Sequence, residues 1–461
     1  MTPLINREYR MKELLTDFLD RALRYVDDLD ERRVAPSTEA VGRLALLDEP
    51  LPEHPIDPRA VLRMLDEIGS PATVASAGGR YFGFVTGGAL PAALAANLMA
   101  GVWDQNAGYR VQSPAAARVE DVCLKWLREV FALPAGAAGG FVTGATMANF
   151  AALAAARRAV LLKAGWNVEE DGLIGAPPIR VVVGDEVHAS VLKALSLLGL
   201  GRARVERVPV DGQGRMRADA LPDLSGATIV CIQAGNVNTG AFDPAREICA
   251  AARDAGAWAH VDGAFGLWAA ASPRLAHLTA GFAEADSWAT DAHKWLNAPY
   301  DSGVAFVREA EHLRAAMTVG AAYLIAGAER EPSQYTPDMS RRARGVEVWA
   351  ALRSLGRAGL ADLIERCCRH ASRFAEGLRA AGYEILNDVT LNQALVSFGD
   401  DATTRRVIEA IQADGTCWCG GTVWQGRAAM RVSVSSWATT EDDVERSMDA
   451  MIRIARRQAK A

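Results

Sequence analysis

Thr228-Ile229-Val230-Cys231-Ile232-Gln233 is a short β-branched apolar run, Trp258-Ala259-His260-Val261-Asp262 is a second, and the helix-forming stretch Ala245 to Ala255 lies between them. Strand, helix and strand in that spacing make a right-handed βαβ unit, the building block of a parallel sheet. Neighbouring runs extend it. Gly140-Phe141-Val142-Thr143 reads as a strand end before a helix through Arg158. Ile179 to Val183 reads as a buried strand before the helix Ser190 to Leu198, and Gly303 to Val307 as a further strand. The middle of the chain is therefore α/β, a mostly parallel central sheet with helices on both faces. Open sheets of this kind bind ligands outside the carboxyl ends of their strands, so the polar residues just after each run are the ones to inspect.

Outward from this core the texture changes. Leu14, Leu15, Phe18, Leu19, Ala22, Leu23 and Val26 recur at helical spacing between Arg7 and Arg33, an amphipathic helix whose apolar stripe needs a cover. Pro50, Pro52, Pro55 and Pro58 then mark a boundary. Residues 1–75 read as an N-terminal helical segment laid on a partner subunit, and 76–310 as a large α/β domain. Residues 311–461 read as a long loop and a small C-terminal α+β domain. In that last part Gly345 to Leu355 and Leu360 to Ala381 are helical, and Tyr383 to Leu386, Leu391 to Phe398 and Met430 to Ser435 are strand-like.

Composition narrows the function classes. The 461 residues are 50% hydrophobic and 23% charged, with a net charge of -6 that disfavours a nucleic-acid partner. The start of the chain lacks the apolar core of a signal peptide, and runs such as Ala89 to Val102 fall short of the roughly 18 residues of a membrane span. Cys367-Cys368 and Cys417-Trp418-Cys419 have no second Cys or His pair at zinc-site spacing. A cytoplasmic protein with reduced thiols, no metal and no membrane partner is expected.

The candidate chemistry follows the strands. Ala285-Asp286-Ser287-Trp288-Ala289-Thr290-Asp291-Ala292-His293-Lys294-Trp295-Leu296-Asn297 frames one lysine with two tryptophans, a histidine and an aspartate. An amine held among apolar and polarising neighbours is a Schiff-base nucleophile, whereas an unselected lysine is a surface charge. Thr143-Gly144-Ala145-Thr146 opens a helix, which makes it either an anion site or a plain helix cap. His188, just past a strand, stacks on a planar ligand, moves a proton, or is a satisfied polar group. Asp262 ends a buried strand and needs a cation or donors. A protonated ring nitrogen would serve; a metal ion is disfavoured because no carboxylate cluster accompanies it. Asn238 donates to an oxygen of the same ring or holds its own loop. Tyr81, Phe82 and Phe84 in a glycine-dense segment, with Tyr109 and Arg110, line a substrate pocket or fill the core. The aromatics favour an apolar or aromatic substrate, Arg110 an acidic one.

Taken together and in this order, Thr143 to Asn149, His188 with Ser190, His260-Val261-Asp262, and Asp286-Ser287 followed by Asp291-Ala292-His293-Lys294-Trp295-Leu296 resemble the group II pyridoxal-phosphate-dependent amino-acid decarboxylases. That family has the aspartate-aminotransferase-like fold, fold type I. The resemblance spans residues 75 to 440 and implies pyridoxal 5′-phosphate as cofactor, held as an aldimine by Lys294. It further implies Asp262 on the pyridinium nitrogen, His188 stacked on the ring, and His293 beside the aldimine. Ala145 and Thr146 would hold the phosphate, with Asp291 or a neighbour contributing. Tyr323 falls where the family's decarboxylases carry a loop tyrosine that returns a proton after carbon dioxide leaves, on a loop reaching the other subunit of a homodimer. Met147 replaces a usual Glu, Ala145 a glycine, and Asp291 a common Asn. The implied reaction converts an L-amino acid, aromatic or apolar side chains favoured, to its amine and CO2. Aldehyde synthase, carbon–carbon lyase, aminotransferase and a non-catalytic binding protein are the alternatives on this scaffold.

Overall fold

Twelve strands carry the architecture of the computed structural model, which describes residues 11–319 and 329–459. In chain order they are β1 (Tyr81–Phe82), β2 (Ala138–Val142), β3 (Arg180–Gly184), β4 (Glu206–Val208), β5 (Thr228–Gln233) and β6 (Trp258–Asp262). There follow β7 (Ser287–Asp291), β8 (Gly303–Val307), β9 (Glu384–Ile385), β10 (Gln393–Ser397), β11 (Trp418–Trp424) and β12 (Arg427–Ser433). The large sheet has the order β2-β8-β7-β6-β5-β3-β4. Only β8 runs against its neighbours, so the sheet is mostly parallel, as expected.

Alternate residues of the same strand feed two separate cores, which is why these runs read as continuously apolar. Val182, Val230, Ile232 and Val261 pack on one face with Ile248, Cys249 and Trp268. Val181, Val183, Ile229 and Cys231 pack on the other with Val191, Leu195 and the alanines of the helix Ala145–Lys163. Ala148, Ala151, Ala152, Ala154, Ala155 and Ala156 are buried there, and their small side chains let that helix lie close against the sheet.

Four strands escaped the sequence reading, β1, β4, β7 and β11, and β7 is the one that leads to Lys294. β7 holds Ser287, Thr290 and Asp291, and that polarity hides it from an apolar-run search. All three are buried, because partners elsewhere in the fold satisfy or enclose them.

The second sheet has the order β1-β11-β12-β10-β9. Its first strand comes from the segment expected to open the large domain, and it pairs in parallel with β11. Arg80, 3% exposed, anchors this crossing by donating to the carbonyls of Asp30, Arg32 and Thr416. The helix Gly345–Ala380 breaks at Gly356 (φ 60°), where two helices were expected. The N-terminal helix Met11–Asp27 buries no residue and leaves Met11, Leu15, Leu19, Leu23 and Val26 exposed. Among the described residues no helix is long and apolar enough to cross a membrane, and all seven cysteines are free thiols.

Candidate active site

Strands β3, β5, β6 and β7 lie side by side and parallel, so their carboxyl ends share one edge of the sheet. At or just past those ends stand His188, Asn238, Asp262 and Lys294. The chain order of the sheet is what brings together residues more than a hundred positions apart.

Lys294 Nζ lies 2.9 Å from Asp291 Oδ2. Burial pulls the ammonium pKa down, but Asp291, helped by Asp262 and Tyr300, outweighs it and holds it above the ordinary lysine value. The flanking Trp288, Trp295 and Leu296 are fully buried. Gly87 abuts the Lys294 carbonyl so closely that a Cβ there would collide. The segment reaching Gly87 passes through Phe84 (φ 53°) and Val85 (φ 60°), a left-handed conformation that is strained for a β-branched residue.

Asp291 Oδ1 accepts the Ala145 N–H at 2.5 Å, at the N-terminus of the helix Ala145–Lys163, where the helix dipole favours a negative charge. Gly144 makes the approach possible: a Cβ there would come within 3.0 Å of His293 Cε1 and 3.3 Å of Asp291 Oδ1. His293 Nδ1 accepts the Ser302 N–H at 3.1 Å, which leaves its hydrogen on Nε2, 3.5 Å from Asp291 Oδ1. Burial holds the His293 pKa below the ordinary value against the pull of Asp291. Tyr300 stacks on its ring at 4.2 Å.

Asp262 is 5% exposed. Its Oδ2 accepts from Asn149 Nδ2 at 3.3 Å and Ser190 Oγ at 3.2 Å, and its Oδ1 accepts the Ala264 N–H at 3.2 Å. All three donors are neutral. Among the described residues no Lys, Arg or His nitrogen comes within the 4.0 Å of an ion pair with it. Behind Asn149 runs a chain of hydrogen bonds. Trp258 Nε1 donates to Ser287 Oγ at 2.8 Å, Ser287 to His260 Nδ1 at 2.9 Å, and His260 Nε2 to Asn149 Oδ1 at 2.8 Å. The indole can only donate and the carboxylate only accept, so every hydrogen between them is fixed. Burial pushes the His260 pKa down to about 4, so this link is neutral.

The remaining expected residues divide. Asn238 Oδ1 accepts from Thr422 Oγ1 at 3.0 Å and Arg431 Nη1 at 3.4 Å, leaving its Nδ2 as the free donor end. Thr146 stands in the first turn of its helix, and Met147 packs on the apolar core beside the sheet. Phe84 is 64% exposed and stacks on Trp418 at 5.5 Å. Phe82, expected in the substrate pocket, is instead fully buried with its edge against Phe374, because β1 points it into the core. Arg110 is likewise taken up elsewhere: it pairs with Asp121 at 2.5 Å and Glu329 at 3.1 Å, which leaves it unsuited to greeting an acidic substrate. Tyr109 is half-buried beside it, and Tyr323 lies outside the described residues.

Arg431 is the residue that sequence reasoning missed. It sits on β12 near His188 with burial lowering its pKa, and among the described residues no carboxylate pairs with it. Its only signal was one charge inside the apolar run Met430 to Val434.

The pyridoxal-dependent decarboxylase conserved domain matches residues 43–399. Tryptophan decarboxylase 1 of Oryza sativa subsp. japonica is 28% identical over 407 residues, covering 79% of this chain and 78% of that protein. The aromatic-L-amino-acid decarboxylase of Bacillus atrophaeus is 26% identical over 384 residues, covering 80% and 77%. The crystal structure of Oryza sativa TDC with PLP and tryptamine superposes with a TM-score of 0.90 at 22% identity, over 99% of both chains. That likeness shows the shared fold type I, and the match over residues 43–399 shows that the chain belongs to the pyridoxal-dependent amino-acid decarboxylases, enzymes that work with pyridoxal 5′-phosphate.

Proposed function

We propose that this chain removes the α-carboxylate of an L-amino acid with an aromatic or apolar side chain, giving the amine and carbon dioxide, with Lys294 Nζ as the covalent anchor of the cofactor. The observation that carries this reading is Asp262, a buried carboxylate with neutral donors and no cation, at the same sheet edge as the buried Lys294. A protonated ring nitrogen is the cation such a carboxylate calls for. The cofactor's phosphate would sit at the start of the helix Ala145–Lys163, where the first-turn Thr146 N–H has no partner within the helix, the Ala145 N–H being held by Asp291 Oδ1. Asp291 shares that helix end, and the Lys294 charge offsets the two anions.

When bound, pyridoxal phosphate supplies an electron sink for the pair left when a bond to the α-carbon breaks. The chain's own residues steer. Asp262 would keep the ring nitrogen protonated, His188 would cover the ring, and Asn238 Nδ2 would be the donor to the ring's oxygen. His293, stacked under Tyr300, borders the anchor lysine. The guanidinium of Arg431, which meets no carboxylate among the described residues, orients the substrate carboxylate by charge-assisted hydrogen bonds. Tyr81 and Phe84, both stacked on Trp418, form the aromatic wall that selects the side chain. Tyr323 returns a proton to the α-carbon. We further place the protein in the cytoplasm, consistent with its free thiols, as a homodimer. The bare apolar stripe of Met11–Asp27 and exposed Leu98, Met99, Val102 and Trp103 supply the surface for a second copy.

The test is a product inventory. The protein loaded with pyridoxal phosphate is incubated with each common L-amino acid, and carbon dioxide, amine, aldehyde and peroxide are scored. Carbon dioxide with stoichiometric amine from an aromatic substrate is expected; peroxide with aldehyde overturns the reading. Sedimentation showing a fully active monomer would remove the dimer.

A further inference from the structure

The second sheet turns one face to the core and the other to the site, and its registers show which residues share each. Tyr81 pairs with Trp418 across β1 and β11, and their rings stack at 5.1 Å. Two residues along β11 comes Gly420, which pairs with Arg431 of β12. Partners in register, and alternate residues of one strand, share a face. Tyr81, Trp418, Gly420 and Arg431 therefore form one row. The opposite face carries Phe82, Cys419, Met430 and Val432, all buried in the core. The row belongs to the site: Arg431 Nη1 donates to Asn238 Oδ1 at 3.4 Å, and the Arg431 charge bears on His188. At its aromatic end, Tyr300 bears on both Tyr81 and Lys294.

Glycine weakens a strand interior, and its usual reasons there are a bulge, a special backbone angle, or the close approach of another chain segment or a ligand. The register runs unbroken from Gly420 to Trp424, which removes the bulge. Gly420 does not have a positive φ, which removes the backbone angle. A Cβ built on it meets Trp418 Cζ3 at 3.6 Å and Cη2 at 3.7 Å and no other atom within 4 Å, which removes a crowding segment. A ligand remains. We infer that Gly420 is a specificity-determining residue: by leaving the row bare between Trp418 and Arg431, it admits a large aromatic side chain to the site. A substrate whose carboxylate meets Arg431 and whose ring meets Trp418 has to lie across Gly420. A methyl there makes only an ordinary contact with the indole, whereas a branched side chain covers the surface that the substrate ring needs. The inference rests on the readings of Arg431 and of the aromatic wall given above.

The test measures binding, not turnover. Stable phosphopyridoxyl derivatives of L-tryptophan, L-alanine and tryptamine are titrated by calorimetry against the full-length chain freed of cofactor. Gly420→Val should weaken the tryptophan derivative about tenfold or more and the alanine derivative by no more than about twofold. Gly420→Ala should weaken the tryptophan derivative by an intermediate factor, and it decides the matter should valine disturb the strand. Gly421→Ala, on the opposite face with its Cβ 3.5 Å from Ile408 Cδ1, should change neither and so controls for loss of a strand glycine. An equal fall for both derivatives at position 420, or no fall, overturns the assignment. The unaltered chain tests the underlying readings separately. A tryptophan derivative that binds no tighter than the alanine one removes the aromatic preference. A tryptamine derivative, which lacks the carboxylate, that binds as tightly as the tryptophan one removes the role of Arg431. Either result sinks the Gly420 assignment with it.

Discussion

Asp262 and Glu347 are both buried carboxylates, 5% and 0% exposed, yet the fold treats them in opposite ways. Asp262 accepts three hydrogen bonds. Among the described residues neither oxygen of Glu347, near the start of the helix Gly345–Ala380, finds a hydrogen bond of normal geometry, and its own backbone N–H and the Asn97 amide pull on it less than burial pushes. Burial also outweighs the arginines that pull on it, Arg342 and Arg344, and Arg344 is itself paired with Asp301 at 2.8 Å. Arg341 is spent on Glu120 at 2.7 Å. Burial therefore pushes the Glu347 pKa up to about 7. Depth alone does not decide whether a buried acid carries charge; the donors aimed at it do. One acid is prepared as an anion for a cation to meet, the other is left to take up a proton.

The largest expected effect falls on the prepared anion. Asp262→Asn should lower kcat for amine formation by about a hundred- to a thousandfold, the usual cost of removing one preorganised electrostatic group. A loss below tenfold in steady-state assays would show that the charge at Asp262 is not used, and the contrast with Glu347 would lose its functional side.

Glu347 sharpens the contrast through pH. Its folded pKa is raised from 4.5 to about 7. Between those values the folded state holds a proton that the unfolded state has lost, so stability falls as pH rises through this window. The fall is roughly 3 kcal/mol if the full shift is expressed. Glu347→Gln should flatten the urea-denaturation profile between pH 5 and pH 8 and leave the variant the more stable form at pH 8. A profile as steep as that of the unaltered protein would place the titration elsewhere.

Removing the donor from Asp262 should move stability the other way. Asn149→Leu strips one donor from the carboxylate and leaves the His260 Nε2–H unpaired, at a cost of about 2 kcal/mol. Thermal melts at pH 8 should show this variant below the unaltered protein and Glu347→Gln above it. Ser287→Ala, one step further back, should cost only about 1 kcal/mol. It should leave His260 Nδ1 without its donor while Asn149 still holds the hydrogen on Nε2, visible as a shift of the Nδ1 signal with no second tautomer. Equal losses for these two variants would mean that the chain acts as one unit, not as graded support.

Much of this site was legible before any coordinates. Lys294 announced itself through Trp288, Trp295 and Asp291 within a few positions, and His188 and Asp262 through their places at strand ends. The apolar runs of β3, β5, β6 and β8 could be read because both faces of a parallel strand are buried. β7 could not, because its Ser287 and Asp291 are buried by partners that no local pattern reveals. Phe82 and Phe84 look alike in sequence, but β1 turns the first onto Phe374 and leaves the second on Trp418.

The sequence by itself determined the fold class, through the periodicity of its apolar runs, and the cofactor type, through motifs that resemble a known family, and it singled out Lys294 as the candidate anchor. Only the tertiary structure decided which charges are free to act. Arg110 is consumed by Asp121 and Glu329, Arg431 meets no carboxylate among the described residues, and Asp262 is met by Asn149 from 113 positions away. The physical reason is that a buried group's charge depends on the donors and ions that surround it in space, and the chain brings those from every part of its length.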